Sequence, residues 1–126
     1  MNVKEYLLLR NNNISKISLN QGNSTYFLDE IVTKINSGFN LFIVSFSGLD
    51  DASVFNILKG ARQLVAEYDC LFIVSGRIDL AYALKADGVY LDNTHLEFNN
   101  FKEFFSENFI LISSSCSGIL ADIYVD

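Results

Sequence analysis

The sequence has no proline and no tryptophan, a single histidine and two cysteines. Without proline the loops lack their usual punctuation, so segment boundaries rest on the hydrophobic pattern. One histidine among many serines leaves no arguable Ser–His–Asp order. Cys70 and Cys116 lie far apart, each beside an apolar run. They read as small core hydrophobes in a reducing compartment. Basic residues are scarce as well: 9 Lys and Arg stand against 15 Asp and Glu, a net charge of −6. That balance argues against nucleic acid or an anionic membrane as partner, because both need a basic patch to meet phosphates. A polyphosphate ligand stays compatible if backbone amides or a metal ion meet its charge. No apolar run reaches the roughly 18 residues of a membrane span. Met1–Arg10 lacks the long apolar stretch and cleavage site of a signal peptide. The expectation is a soluble cytoplasmic domain.

What is present is core material. Of 126 residues 50% are hydrophobic, with 11 Phe and 6 Tyr, and only 19% are charged. That suffices for one folded domain over 1–126 and argues against disorder. Short apolar runs recur at Tyr6–Leu9, Leu41–Phe46, Leu71–Val74, Gly88–Leu91, Phe109–Ile112 and Ile123–Val125. They are too continuous to alternate between faces, which is how buried parallel strands read. Between them run helical stripes: Phe27, Leu28, Ile31, Val32 and Ile35, then Val54, Ile57, Leu58, Ala61, Val65 and Tyr68, then Phe98, Phe101 and Phe105 with Phe104 beside them. Ser24 or Thr25 is expected to cap the first, and Asp50 or Asp51 the second. Ile78–Lys85 reads as a short helix. Asn11–Asn23 reads as an extra strand hairpinned to the first or as a long loop. Alternating strands and helices predict an α/β fold with a parallel βα-repeat sheet.

The segment Leu71–Asn93, LFIVSGRIDLAYALKADGVYLDN, resembles the central signature of the thiamine phosphate synthase family, which includes the related thiazole tautomerases. That signature runs roughly F-I-[IV]-N-D-R-V-D-L-A and then A-D-G-V-H-L-G-Q-x-D. Phe72, Ile73, Arg77, Asp79, Leu80, Ala81, Ala86, Asp87, Gly88, Val89 and Leu91 match it. Upstream the register extends through Ser37–Gly38, and downstream Phe109–Ser115 is similar to the family's I-x-G-x-S strand. The resemblance implies a TIM (β/α) barrel, truncated here to about six strands, a single domain lacking the last barrel strands. An open barrel exposes an edge and an apolar inner face, so a homodimer or higher homo-oligomer is expected.

The family reaction, as the resemblance implies, joins a pyrimidine diphosphate to a thiazole phosphate and releases pyrophosphate, with magnesium and basic side chains steadying the leaving group. The family's strand-two motif Q-x-R-x-K falls on Ile43, Ser45 and Ser47, so both cations are absent. Its magnesium-binding aspartates fall on Gly76 and His95, its Asn on Ser75 and its Gln on Asn93, while Ser114 keeps the strand-five serine. Substrate-binding positions carried over by resemblance are Ser45, Ser47, Ser75, Arg77, Asn93 and Ser114, with a phosphorylated small molecule as the ligand class. No cofactor follows from the sequence; Mg2+ is expected only if the family activity survives. Asp92, Asn93 and His95 offer either a thin partial metal site or a surface loop. Ser113–Ser115 with Ser117–Gly118 offers a phosphate cradle or a polar strand end.

The matching residues carry structural readings too. Ala86–Asp87–Gly88 is expected to form a tight turn, with Asp87 bonding within its own turn. Asp79 is expected to anchor the short helix or pair with Arg77. Three functions stay open at this point. One is a degenerate binding or interaction module without the family activity. Another is an active thiamine-pathway enzyme with an altered site assembled across a dimer. The third is an unrelated α/β small-ligand-binding domain.

Overall fold

The segment ISKISL buries Ser15, Ile17 and Leu19 and exposes Lys16 and Ser18. This period-two pattern makes Ile14–Leu19 strand β1. The computed structural model describes residues 13–91, 110–113 and 122–125. After β1 come α1 (Phe27–Asn36), β2 (Leu41–Phe46), α2 (Asp51–Glu67), β3 (Leu71–Ser75), α3 (Ile78–Ala83), β4 (Gly88–Leu91), β5 (Ile110–Ser113) and β6 (Asp122–Val125). The sheet runs in sequence order from β1 to β6. The pairings from β1 through β5 are parallel.

One open alternative is settled here and one expectation corrected. Within Asn11–Asn23 the extra-strand alternative holds and the loop does not, since Ile14–Leu19 is a strand; its expected hairpin partner Tyr6–Leu9 lies outside the described residues. β1 is a parallel neighbour of β2 in register Ile14 with Leu41 through Leu19 with Phe46. Buried polar Ser15 hides the alternation from a hydrophobic reading. The stripe at Phe98–Phe105 also lies outside the described residues. The final strand breaks the parallel pattern, since β6 pairs antiparallel to β5, Ile110 with Val125 and Ser113 with Asp122. Only residues 114–121 join these strands, too few for the dozen or so a parallel crossover needs.

The core lies between one sheet face and the helices. Phe42, Val44, Phe72, Val74 and Val89 pack there with Phe27 and Ile31 of α1 and Val54, Leu58, Ala61 and Val65 of α2. Asp50 caps α2, its carboxylate accepting from the Ser53 backbone N–H at 3.3 Å. By contrast α1 starts without a side-chain cap, at Tyr26 rather than Ser24 or Thr25. The preceding turn is built by asparagines instead. Asn20 Oδ1 accepts from the Gly22 N–H at 2.8 Å, and Asn23 Nδ2 donates to the Ser18 carbonyl at 2.6 Å. No helix of the described residues is long and apolar enough to cross a membrane.

Asp87 does not bond within its own turn. Its Oδ2 accepts from the Phe72 N–H at 2.7 Å, and its own N–H donates to the Phe72 carbonyl at 2.9 Å. The β3–β4 ladder begins at Ile73 with Gly88. One residue earlier, Asp87 therefore supplies the acceptor that a partner strand would give. Burial pushes its carboxyl above the usual range, while the Phe72 hydrogen bond and the nearby Arg62 charge pull it down.

Gly60 sits inside α2, and a Cβ there would meet Leu28 Cδ1 at 3.5 Å, an ordinary contact. Gly60→Ala removes backbone freedom from the unfolded chain at little steric cost. It is expected to stabilise by about 0.5–1 kcal/mol, read as a higher denaturant midpoint at unchanged slope.

Candidate functional site

Parallel register puts every second residue on the face turned away from the helices. One layer of that face holds Lys16, Ile43, Ile73 and Gly88. The next, nearer the strands' C-terminal ends, holds Ser18 and Ser45, with Ser75 paired to Tyr90. The Ser18 and Ser45 hydroxyls lie 2.8 Å apart, hydrogen-bonded. Lys16 Nζ donates a long hydrogen bond of 3.5 Å to Tyr90 Oη and stands 4.8 Å from the centre of its ring. In a flat sheet three strand spacings would separate β1 from β4 by about 14 Å. The contact bridges β1 and β4 across this face, the arrangement a sheet curled toward it gives, with the hydroxyl row at its mouth. In βα folds ligands bind at this end of the strands.

The chain leaves this face after Ser75. Gly76 takes φ +82°, and its N–H donates to the Tyr90 carbonyl at 2.9 Å. Arg77 then turns toward the helices. Its Nε and Nη2 bind the two Asp79 oxygens at 2.9 and 2.8 Å, and Nη1 reaches Asp51 at 3.4 Å. The Arg77 hydrogen bonds, with smaller help from the α3 backbone and the charge itself, hold the Asp79 carboxyl down at about 2. The same contacts hold the Arg77 guanidinium above its ordinary value. This fork borders a cleft of about 370 Å³ between α2 and α3, shared with Phe55, Asn56 and Leu80.

Of the sequence-expected positions, Ser45 and Ser75 lie on the curled face, and exposed Ser47 follows directly after β2. Arg77 is held apart from them by its two aspartates. Asn93, Ser114, Asp92 and His95 lie outside the described residues. Lys16 and Tyr90 escaped the sequence reading. The usable signal was a lysine at the same strand parity as Ser18, in a run otherwise fit for burial.

Because the Asp79 carboxyl is lowered in the fold, its pair with Arg77 adds stability above about pH 4, lost as pH falls toward 2. Both partners are well exposed, 37% and 69%, so the gain is below about 1 kcal/mol. Asp79→Asn is expected to lower Tm slightly at pH 6, with the difference from wild type shrinking as pH falls through about 2.

The family model described as thiamine monophosphate synthase matches residues 14–121. The chain belongs to that family. Thiamine-phosphate synthase of Haloarcula marismortui is 34% identical over 84 residues, 66% of this chain and 38% of that protein. The synthase of Rhodopirellula baltica is 30% identical over 81 residues, 64% of this chain and 22% of its relative. Among solved structures, thiamine phosphate pyrophosphorylase from Pyrococcus furiosus superposes with a TM-score of 0.67 at 26% identity, covering 80% of this chain and 50% of that one. The matched stretch thus spans well under half of these two curated synthases and half of the solved one.

Proposed function

We propose that this chain uses the family scaffold as a small-ligand-binding module and does not form thiamine phosphate. What supports this reading is the chemistry of the strand ends, where the family resemblance sets Ser45, Ser47 and Gly76 at positions of two cations and a carboxylate. Hydroxyls bind and orient a ligand but do not neutralise a departing diphosphate. Magnesium takes hard oxygen ligands, carboxylates first. Among the described residues no three His, Cys, Asp or Glu side chains gather, and Gly76 brings no oxygen side chain to the motif's first aspartate position. These residues do not fit Mg2+, so ligand binding is metal-independent in this reading.

The test is a thermal-shift panel with a thiazole phosphate and a pyrimidine diphosphate, each in magnesium and in EDTA. At about 100-fold excess over Kd a ligand adds about 2.7 kcal/mol, which is several degrees of Tm. The expected result is a shift of equal size in both buffers. A shift that appears only with magnesium, or none with either compound, overturns the reading.

A further inference from the structure

We infer that Lys16 is the charge-recognising group of a phosphate site on the curled face, in the layer directly below the hydroxyl row. The inference rests on the reading of this face as a ligand site, and it names the residue and the ligand charge. Lys16 is an exposed cation on a strand whose neighbours in the same layer, Ile43 and Ile73, are only 3% and 0% exposed. Gly88 continues the layer without a side chain, paired in turn with Ile110 of β5. A lysine has three donors, and among the described residues Lys16 makes one long bond to a neutral phenol and no ion pair. The Tyr90 ring holds the ammonium by cation–π attraction, which positions the charge without cancelling it.

One strand step above, the Ser18 and Ser45 hydroxyls and the Ser75–Tyr90 pair stand on the same face. An oxyanion between the layers would take a charge-assisted bond from Lys16 and hydroxyl bonds from above. The apolar neighbours at Ile43 and Ile73 lower the local dielectric and strengthen that pairing. Nothing in this arrangement calls for a metal ion. The ligand class is therefore a phosphate-bearing small molecule held by an amine and hydroxyls.

The experiment is calorimetric titration of the full chain with inorganic phosphate and with pyrophosphate, in EDTA at low salt. Lys16→Gln is expected to weaken binding by about 10- to 100-fold, the range for losing a hydrogen bond to a charged group. Lys16→Arg is expected to stay within a few-fold of wild type, as is Lys59→Gln on the exposed side of α2. Because Lys16 is exposed, circular dichroism should show each variant folded. Unchanged binding by Lys16→Gln overturns the inference, as does equal weakening by Lys59→Gln, which would mean diffuse charge attraction. Absence of anion binding by wild type also overturns it, yet leaves the loss of transferase activity standing. Measured thiamine phosphate formation would strike that loss without touching Lys16.

Discussion

Purified chain given magnesium, a pyrimidine diphosphate and a thiazole phosphate is expected to release no pyrophosphate above a heat-killed control. The reason is electrostatic. As the bond to the leaving diphosphate breaks, negative charge grows on oxygens that fixed positive groups must already face. At Ile43, Ser45, Ser47 and Gly76, the positions the family resemblance assigns to this task, the chain offers no formal charge. Each lost group of that kind typically costs about 10²–10³ in rate. Even with strong non-additivity, losing several leaves a turnover below detection. Gly76→Asp alone is not expected to restore it. Gly76 has φ +82°, a region where an L side chain costs about 1–2 kcal/mol, and the two cations are still missing. Turnover above control that a chelator abolishes would overturn the degenerate reading and favour an enzyme assembled across a dimer.

Replacing Phe72 by alanine is expected to cost about 3–5 kcal/mol, the range for emptying a buried aromatic site, measured by urea unfolding. Phe72 is 1% exposed, and its ring packs into the layer between sheet and helices. The strand around it has little freedom to collapse into the void. Asp87 clamps both the N–H and the carbonyl of this residue, while β2 is in register on the other side, Phe42 with Phe72. Asp87→Ala would leave the Phe72 N–H without that acceptor, at a cost of about 1–3 kcal/mol. The two changes share one peptide unit, so their effects should not add. A loss under about 1.5 kcal/mol for Phe72→Ala would show that neighbouring side chains refill the space.

The central strands were legible because LFIVSF and LFIVS are continuous apolar runs with no competing helical period. The helices α1 and α2 were legible from their stripes, and the Asp50 cap from an acid preceding one of them. β1 was legible only as one of two alternatives, because Lys16, Ser15 and Ser18 dilute its apolar count although its parity is sound. The antiparallel end was hidden because pairing direction is set by the length of the connection and not by the strand's own residues. At the candidate site, motif comparison named Ser45 and Ser75, which share one face, but passed over Lys16 and Tyr90. Their proximity depends on sheet curvature across three strands, which no local window of sequence carries. Asp87 shows a different gap: its identity was read as turn chemistry, while its partner lies 15 positions away.

Each described strand bonds only to its neighbours in sequence. A chain leaving the ribosome N-terminus first never has to wait for a distant segment before laying down the next ladder. Loop-closure entropy is then met in small instalments, which favours stepwise, vectorial folding. The same order grades the native state's resistance to solvent. Amides of β2 and β3, flanked on both sides, should exchange with deuterium last and at the free energy of global opening. Those of β6 should exchange earlier, by fraying that leaves the centre intact.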